Sequence, residues 1–560
     1  MTYTANYDLL PSIPPRPPMT LSTTPDLDEL DEPQLPGDGA RPPDGRSGRR
    51  GRRGHPAWTL VAVALGVMMV GLDGTVVAIA NPYIARSLHG SLADLQWVTN
   101  AYLLVLAVLL IPMGYLGDRF GRKRIFLVGV AGFALMSLSV GLVGSIAGVI
   151  AFRALQGVFG AMLMPNSLAI IRNTFAPEKL NSAVGIWGGA TAISVASGPI
   201  VGGLLVEHVS WQSVFYVNVP VGALALVIGL FLLAESRVAD PGRFDVVGLA
   251  LLGAGLFGIV FGLIKASAWG WGDARTLALL VGGTALLGLF GLVEARSAQP
   301  LLPMRLFRRR SITFGTVTVL LGFFAMYGVL FFVTLYLQNV HGYDPVEAGV
   351  HMLPLTAVFV VASPLGGLLN QRFGPKLVVP MGMAMVGVGL LLLLSLQPQS
   401  GYVHLWPSFV LVGIGVGMVI VASSDAIVAN APTDDAGVAG GLQSTALQLG
   451  GVLGTSILGS VLVTRVGSVL VGTLLRSGVP GFVATRLGVA TQLVAQGAAP
   501  SLAGAPKALQ HAVVVGSHQA FMTGLHLAIL VAAIAAFVAA VLGLLLERSE
   551  SSGGGATVTL

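Results

Sequence analysis

Three places in this chain set ionisable side chains where the surrounding sequence is apolar. Asp73 stands in Gly71-Leu-Asp73-Gly74-Thr75-Val-Val-Ala-Ile-Ala-Asn81-Pro82. A carboxylate inside a membrane helix costs about 2.5–3.5 kcal/mol, so it must face the bundle interior or a wet cavity. Burial penalises its charged form, which suits a reversible proton carrier; the bland alternative is a packing Asp bonded to a neighbouring hydroxyl. Arg153, in Arg153-Ala-Leu-Gln156-Gly157-Val-Phe-Gly160, is the matching cation. A guanidinium does not deprotonate in proteins. Arg153 therefore cannot carry the proton, but it can favour the charged form of a nearby carboxylate, bind an anionic group, or snorkel to the headgroups. The third place is Gly114-Tyr-Leu-Gly-Asp118-Arg119-Phe-Gly121-Arg122-Lys123-Arg124, with four cations and one carboxylate in seven residues. Wedged between long apolar runs, it reads as a tight turn on the cytoplasmic face of a membrane protein.

The elements that must hold these groups follow from composition. Of 560 residues, 54% are hydrophobic and 10% charged, and there is no cysteine. A soluble domain carries about 25% charged residues, so the chain reads as a polytopic helical membrane protein with no disulfide or thiolate chemistry. A helix needs roughly 20 apolar residues to cross the hydrocarbon. Fourteen such runs are present, beginning near 58–80 and ending near 519–546. Charge bias supports the count. With the N-terminus inside, the inner connections hold Arg119 to Arg124, Arg172 and Lys179, Arg237 and Arg243, Arg296 to Arg310, and Arg372 with Lys376. The outer short connections hold Arg86 and Arg275. Residues 1–57 are Pro-rich and polar and are expected to form a disordered cytoplasmic tail whose Arg46–Arg53 cluster meets anionic headgroups. Residues 465–518 are expected to form a long outer loop, either with short surface helices or as a Gly/Ala-rich connector, and residues 547–560 a second cytoplasmic tail.

The basic turn has a degraded echo, Gly367-Leu-Leu-Asn370-Gln371-Arg372-Phe373-Gly374-Pro375-Lys376, at an offset of 374 − 121 = 253. Spans 1–6 thus repeat as spans 9–14, with spans 7 and 8 inserted. Gln371 replaces Asp118 in the echo, which assigns Asp118 a task beyond the turn. Span 5 carries Gly185, Gly188, Gly189, Gly198-Pro199 and Gly202-Gly203, small residues that allow close helix approach, with Pro199 set to kink the helix. Asp425 is expected to be a solvated helix-end residue, and His351 and His526 packing residues. Lys265 and Glu294 are expected to snorkel from helix ends. No phosphate-binding Gly-x-x-x-x-Gly-Lys loop and no His-Glu-x-x-His motif appear, so neither ATP hydrolysis nor a metal is expected.

Together these stretches resemble the fourteen-helix drug:proton antiporter branch of the major facilitator superfamily, over roughly residues 58–546. Asp73, Thr75, Asn81 and Pro82 match its span 1 motif, and Gly114, Asp118, Arg119, Gly121, Arg122 and Lys123 the loop motif that controls alternating access. Arg153, Gln156, Gly157 and Gly160 match the span 4 motif tied to proton transfer. Gly185, Gly198, Pro199, Gly202 and Gly203 match the span 5 antiporter motif, which the family associates with exporters. Trp211, Phe215, Asn218, Pro220 and Gly222 fit a further signature, as do Tyr336, Gln338, Gly342, Tyr343, Gly349 and Pro354. Departures are Ser194 in place of Gly, Gln212 in place of Arg, and Gly74 beside Asp73.

The resemblance implies an all-α major facilitator fold, with a six-helix bundle over 58–234, two inserted helices and a linker over 235–310, and a second bundle over 311–546. Charge bias places both termini inside, and a monomer in the cytoplasmic membrane is expected. The implied function is proton-coupled export of hydrophobic or cationic small molecules, with lipids as neighbours, no cofactor, no nucleic acid and no enzymatic activity. Export of a single endogenous compound and proton-linked nutrient import are the alternatives.

Overall fold

The computed structural model describes residues 55–238, 244–432, 435–502 and 504–547. The expected tails therefore lie, except for 55–57 and 547, outside the described residues. Among the described residues fourteen helices are long and apolar enough to cross a membrane: α1 Pro56–Leu88, α2 Leu92–Phe120, α3 Arg122–Leu142, α4 Ile146–Thr174, α5 Glu178–His208, α6 Ser213–Leu232, α7 Val246–Trp269, α8 Ala274–Arg296, α9 Arg310–Val340, α10 Pro345–Phe373, α11 Pro375–Ser395, α12 Tyr402–Ala429, α13 Gly437–Arg476 and α14 Lys507–Gly543. Helices dominate because hydrocarbon leaves no partner for backbone groups other than the i−4 carbonyl. Their ends are set by local chemistry. Ser91 and Asp94 form a reciprocal capping box at the start of α2, and Ser145, Asp245, Asp273 and Asp344 cap the helices that follow them.

The repeat is visible in the backbone. Gly121 between α2 and α3 (φ +111°) and Gly374 between α10 and α11 (φ +76°) both adopt the left-handed conformation that glycine tolerates best. The first half, α1–α6, meets the second, α9–α14, through α1 with α9, α2 with α13, and α5 with α10. The inserted pair α7–α8 is a hairpin. Its α7 covers the seam between α2 and α13, where Trp97 of α2 lies 5.7 and 5.8 Å from the Phe257 and Phe261 rings. Its α8 packs mainly on α7 and shows Leu277, Val281, Leu289 and Leu292 outward.

Three expectations need correction. The outer loop expected over 465–518 is shorter, because α13 continues to Arg476 and α14 starts at Lys507. The extra turns keep a buried stripe, Val466, Leu470 and Leu474, against α14, and a Cβ on Gly516 would sit 3.0 Å from Leu474 Cα. Between them, Gly481–Leu487 and Thr491–Val494 form short helices. Glu294 does not snorkel; it is 2% exposed. Asp425 is half-buried and accepts the Asn370 amide at 3.0 Å, at the start of a π-helical turn over Asp425–Ala429.

Candidate functional site

Asp73 and Arg153 meet in the middle of the first half. Asp73 (0% exposed) comes from α1 and Arg153 (1% exposed) from α4. The snorkelling alternative for Arg153 is thereby excluded. Arg153 Nη1 donates to Asp73 Oδ2 in a short ion pair, and also to Gln156 Oε1 at 2.7 Å. Its Nε donates to the Val98 carbonyl of α2 at 3.1 Å. The guanidinium carbon stands 4.2 Å from the Tyr102 ring centre, with Phe215 at 5.8 Å. Aromatic faces of this kind hold a desolvated cation.

The other carboxylate oxygen is also occupied. Gln156 Nε2 donates to Asp73 Oδ1 at 2.9 Å, and Asn218 Nδ2 of α6 approaches it at 3.5 Å. Both amides share Ser137 Oγ of α3 as acceptor, at 2.7 and 2.9 Å. Five helices thus supply one buried network. Removing one member of a buried ion pair costs about 3–5 kcal/mol, because the other charge is stranded. The arrangement can exchange one charge state for another only if a partner moves or a proton arrives.

Glycines let α1 approach α5 here. A Cβ on Gly71 would collide with Ser194 Oγ, and one on Gly198 with Thr75. Ser194, the departure from the span 5 pattern, is accommodated because Gly71 opposite it has no side chain. Thr75 Oγ1 bonds the Val195 carbonyl at 3.2 Å. Asn81 is buried but makes no side-chain hydrogen bond among the described residues.

The glycines of span 5, those of the motif with Gly188 and Gly189, divide between three surroundings. Gly185, Gly188 and Gly189 have open space where a Cβ would be. Gly198 and Gly202 face α1, with a Cβ at Gly202 placed 3.1 Å from the Val76 carbonyl. Gly203 faces the other half, where a Cβ would lie 2.5 Å from the Pro345 carbonyl oxygen and 2.9 Å from Val346 Cα. Pro199 meets Gly349 in the same contact.

Most other bonds across the halves run from mid-depth to the end carrying Arg86, while Thr445 Oγ1 donates to the Ala107 carbonyl at 3.2 Å, on the basic side of Asn100. Asn100 bonds Thr455 and Ser456 at 2.6 and 2.9 Å. Gln96 bonds the Thr455 carbonyl at 2.6 Å, and Gln338 the Ile79 carbonyl at 3.1 Å. Arg86 donates to Asn339 at 2.6 Å, Asn339 to the Gln496 carbonyl at 2.7 Å, and Gln496 to the Gly90 carbonyl at 3.3 Å. Among the described residues α4 makes no polar bond with the second half, and α5 makes one, Glu207 accepting from the Val346 amide at 3.1 Å near that same end.

The basic turn lies at the opposite end. Arg122 binds Asp118 Oδ1 through Nε and Nη2, both at 2.8 Å. Lys123 Nζ caps the end of α6 through the Leu230 and Leu233 carbonyls at 2.8 and 2.9 Å. The backbone of the segment after α6 bonds the turn through Ser236 and Val238, each at 2.9 Å. Arg119 reaches Tyr115 at 3.4 Å. At Gly121 a Cβ would lie 2.7 Å from the Glu235 carboxyl carbon. The turn and the Asp73 network are thus separate constellations. Sequence reasoning singled out Asp73 and Arg153 but gave Ser137 and Tyr102 no part. Asn218 carried a usable signal, since a lone amide in an apolar run must find partners.

The family model described as Major Facilitator Superfamily matches residues 63–455. The chain belongs to that superfamily, and it is a transporter, not an enzyme. The tetracenomycin C resistance and export protein of Streptomyces glaucescens is 49% identical over 498 residues, covering 88% of this chain and 92% of the relative. The multidrug efflux pump LfrA of Mycolicibacterium smegmatis is 38% identical, covering 72% of this chain and 81% of the relative. The puromycin resistance protein pur8 of Streptomyces alboniger is 37% identical, with 72% and 81% covered. These relatives place the chain among the efflux transporters of the superfamily. Among solved structures, a bacterial homologue of the human lysosomal transporter Spinster, inward-facing and unoccupied, superposes with a TM-score of 0.57 at 19% identity, covering 87% of this chain and 98% of that one. That likeness is one of fold.

Proposed function

We propose that the chain exports hydrophobic, in part cationic, small molecules across the cytoplasmic membrane in exchange for protons. The observation that carries this is the Asp73–Arg153 pair, buried from both sides and saturated by Gln156 and Asn218. Substrate enters from the cytoplasm or inner leaflet between residues 58–234 and 311–546, and a proton from outside reaches Asp73. Protonation releases one of the donors on the carboxylate, and the bundles rock. Each inward proton gains about 2.3 kcal/mol per 100 mV.

In this reading the basic end, with both termini, is cytoplasmic. The arrangement described is then inward-facing, closed by Gly203, Pro345 and the Asn100–Thr455–Ser456 bonds. Asp118 and Arg122 act as a cytoplasmic latch in the opposite state. The protein works as a monomer among lipids.

The test is Asp73→Asn in energised vesicles. Proton-driven efflux should be lost while insertion is kept; efflux equal to wild type removes Asp73 from the mechanism. A second reading, export of one antibiotic, is favoured by the 49% relative named for tetracenomycin C. A panel of unrelated dyes and antibiotics separates the two, since a dedicated exporter moves one chemical class.

A further inference from the structure

The inserted hairpin holds a second buried acid, remote in sequence and in bonding from Asp73. Glu294, near the end of α8, is buried, and its Oε2 accepts the Leu302 amide at 2.9 Å. Its Oε1 is shut off from solvent and has no donor. At the start of α7, Asp245 caps the helix, with Oδ1 accepting the Gly248 amide at 2.7 Å. Asp245 Oδ2 is likewise buried without a donor. Gly248 shows how near the two carboxyl groups lie. A Cβ built on it would stand 2.6 Å from Asp245 Oδ2 and would also collide with Glu294 Oε1. Two acceptor oxygens from two carboxyl groups therefore crowd the same side-chain-free position.

Among the described residues no cation resolves this crowding. None of the ion pairs among the described residues includes Asp245 or Glu294. Arg296, two residues along α8, is exposed. On the turn Met304–Arg308 that packs on α8, Arg305 is taken up by Asp435 at 3.0 Å, and Arg308 pairs with neither acid. From α2 the neighbour is the Tyr115 ring, 5.5 Å from Phe244. Two like charges in one buried site cannot both persist; one carboxyl group keeps its proton.

We propose that Asp245 and Glu294 bind a single proton between them, as a carboxylic acid–carboxylate pair that clasps the inserted hairpin. A proton fits better than a metal ion. The free oxygens number two, one from each carboxyl, whereas a calcium ion takes about six to eight oxygens. Among the described residues no third acidic, His or Cys side chain joins them. The two backbone amides already aim their positive ends at the same carboxyl groups. The proton joins the start of α7 to the end of α8 and, through Leu302, to the connection leading into α9. Its loss leaves two anions face to face.

The experiment uses the full chain in lipid nanodiscs, with difference infrared spectroscopy and thermal unfolding across pH. Wild type should show a carboxylic acid C=O band at neutral pH that is absent from Glu294→Gln and from Asp245→Asn. The folded state then holds a proton that the unfolded chain gives up, so the unfolding midpoint should fall from mildly acidic to alkaline pH. Glu294→Gln keeps the acceptor for Leu302 and should flatten that dependence. A band that survives in both variants overturns the proposal. So does a midpoint raised by sodium, magnesium or calcium ions alone in wild type but not in Glu294→Gln, which would make this a metal site. Should Glu294→Gln not fold, Asp245→Asn, which keeps the helix cap, carries the same two readouts.

Discussion

Gly203→Ala tests the closed seam at the Arg86 end at one atom. The added methyl would stand 2.5 Å from the Pro345 carbonyl oxygen, 2.9 Å from its carbon and 2.9 Å from Val346 Cα. All three are backbone atoms of the opposite half, so no side chain can rotate away. Overpacking of this kind costs about 1–3 kcal/mol. That cost falls only on the conformer in which α5 and α10 touch. The equilibrium should therefore move roughly 5- to 150-fold toward the state with this end open.

The chain has no cysteine, so a labelled pair needs no background changes. Val209, just past α5, and Val403, at the start of α12, are each 71% exposed and report on the two halves at this end. Spin labels there should show a longer distance population in Gly203→Ala. Gly185→Ala is the control from the same motif. Nothing lies within 4 Å of its would-be Cβ, so its distances should match wild type. Unchanged distances in Gly203→Ala, or equal shifts in both variants, would refute the assignment of Gly203 to the seam.

Ser137→Ala removes the acceptor shared by Gln156 and Asn218; stranding buried donors costs about 1–3 kcal/mol, read as a lower unfolding midpoint together with a displaced pH profile of efflux. A lowered midpoint with an unmoved profile would make Ser137 structural only. Gly121→Ala and Gly374→Ala both meet a left-handed backbone, but only the first also meets Glu235. Gly121→Ala should therefore be the more destabilised in a detergent thermal-shift assay, and parity would show that Glu235 yields freely.

The number of helices was legible because hydrocarbon thickness sets a length that apolar runs display directly. The membrane says nothing about how far a helix continues beyond it. Hence apolar length alone places a loop over 465–518, although Val466, Leu470 and Leu474 keep a buried helical stripe through its start. Asp73 was legible as a costly charge. Its partner was not settled, because Arg153 lies near enough to a helix end that headgroups and a buried carboxylate both satisfy it. Geometry decides: Val98, Gln156 and Asp73 converge on the guanidinium. Ser137 had no signal, since a single hydroxyl in an apolar helix can always bond its own backbone. The burial of Glu294 is not legible in the sequence for a related reason. Its distance from the end of α8 permits snorkelling, and only the returning chain at Leu302 and the start of α7 closes over it.

The two copies of the basic turn show what a repeat keeps and what it changes. Both need a left-handed glycine, because both join antiparallel helices through a single residue. Among the described residues only the first is bonded to the chain that leaves its own bundle. The segment leaving α6 is stapled to the turn by Ser236, Val238 and Glu235, while Lys123 closes the end of α6 itself. That segment leads to the inserted helices. The second copy has open space beside Gly374, and its Gln371 is exposed. The exit from the first half is held by the Lys123 side chain, which the echo keeps as Lys376, by the Arg124–Glu235 pair, which the echo lacks, and by backbone atoms of Asp118, Arg122 and Lys123. With the seam at the Arg86 end closed, every polar partner described for Asp118 belongs to its own half. A gating role therefore requires Asp118 to exchange Arg122 for a partner across the seam when the basic end closes. Tethering does not explain the asymmetry between Asp118 and Gln371, because Asp118 meets the exit segment through its backbone carbonyl alone, while its carboxylate binds Arg122, a position the echo fills with Pro375.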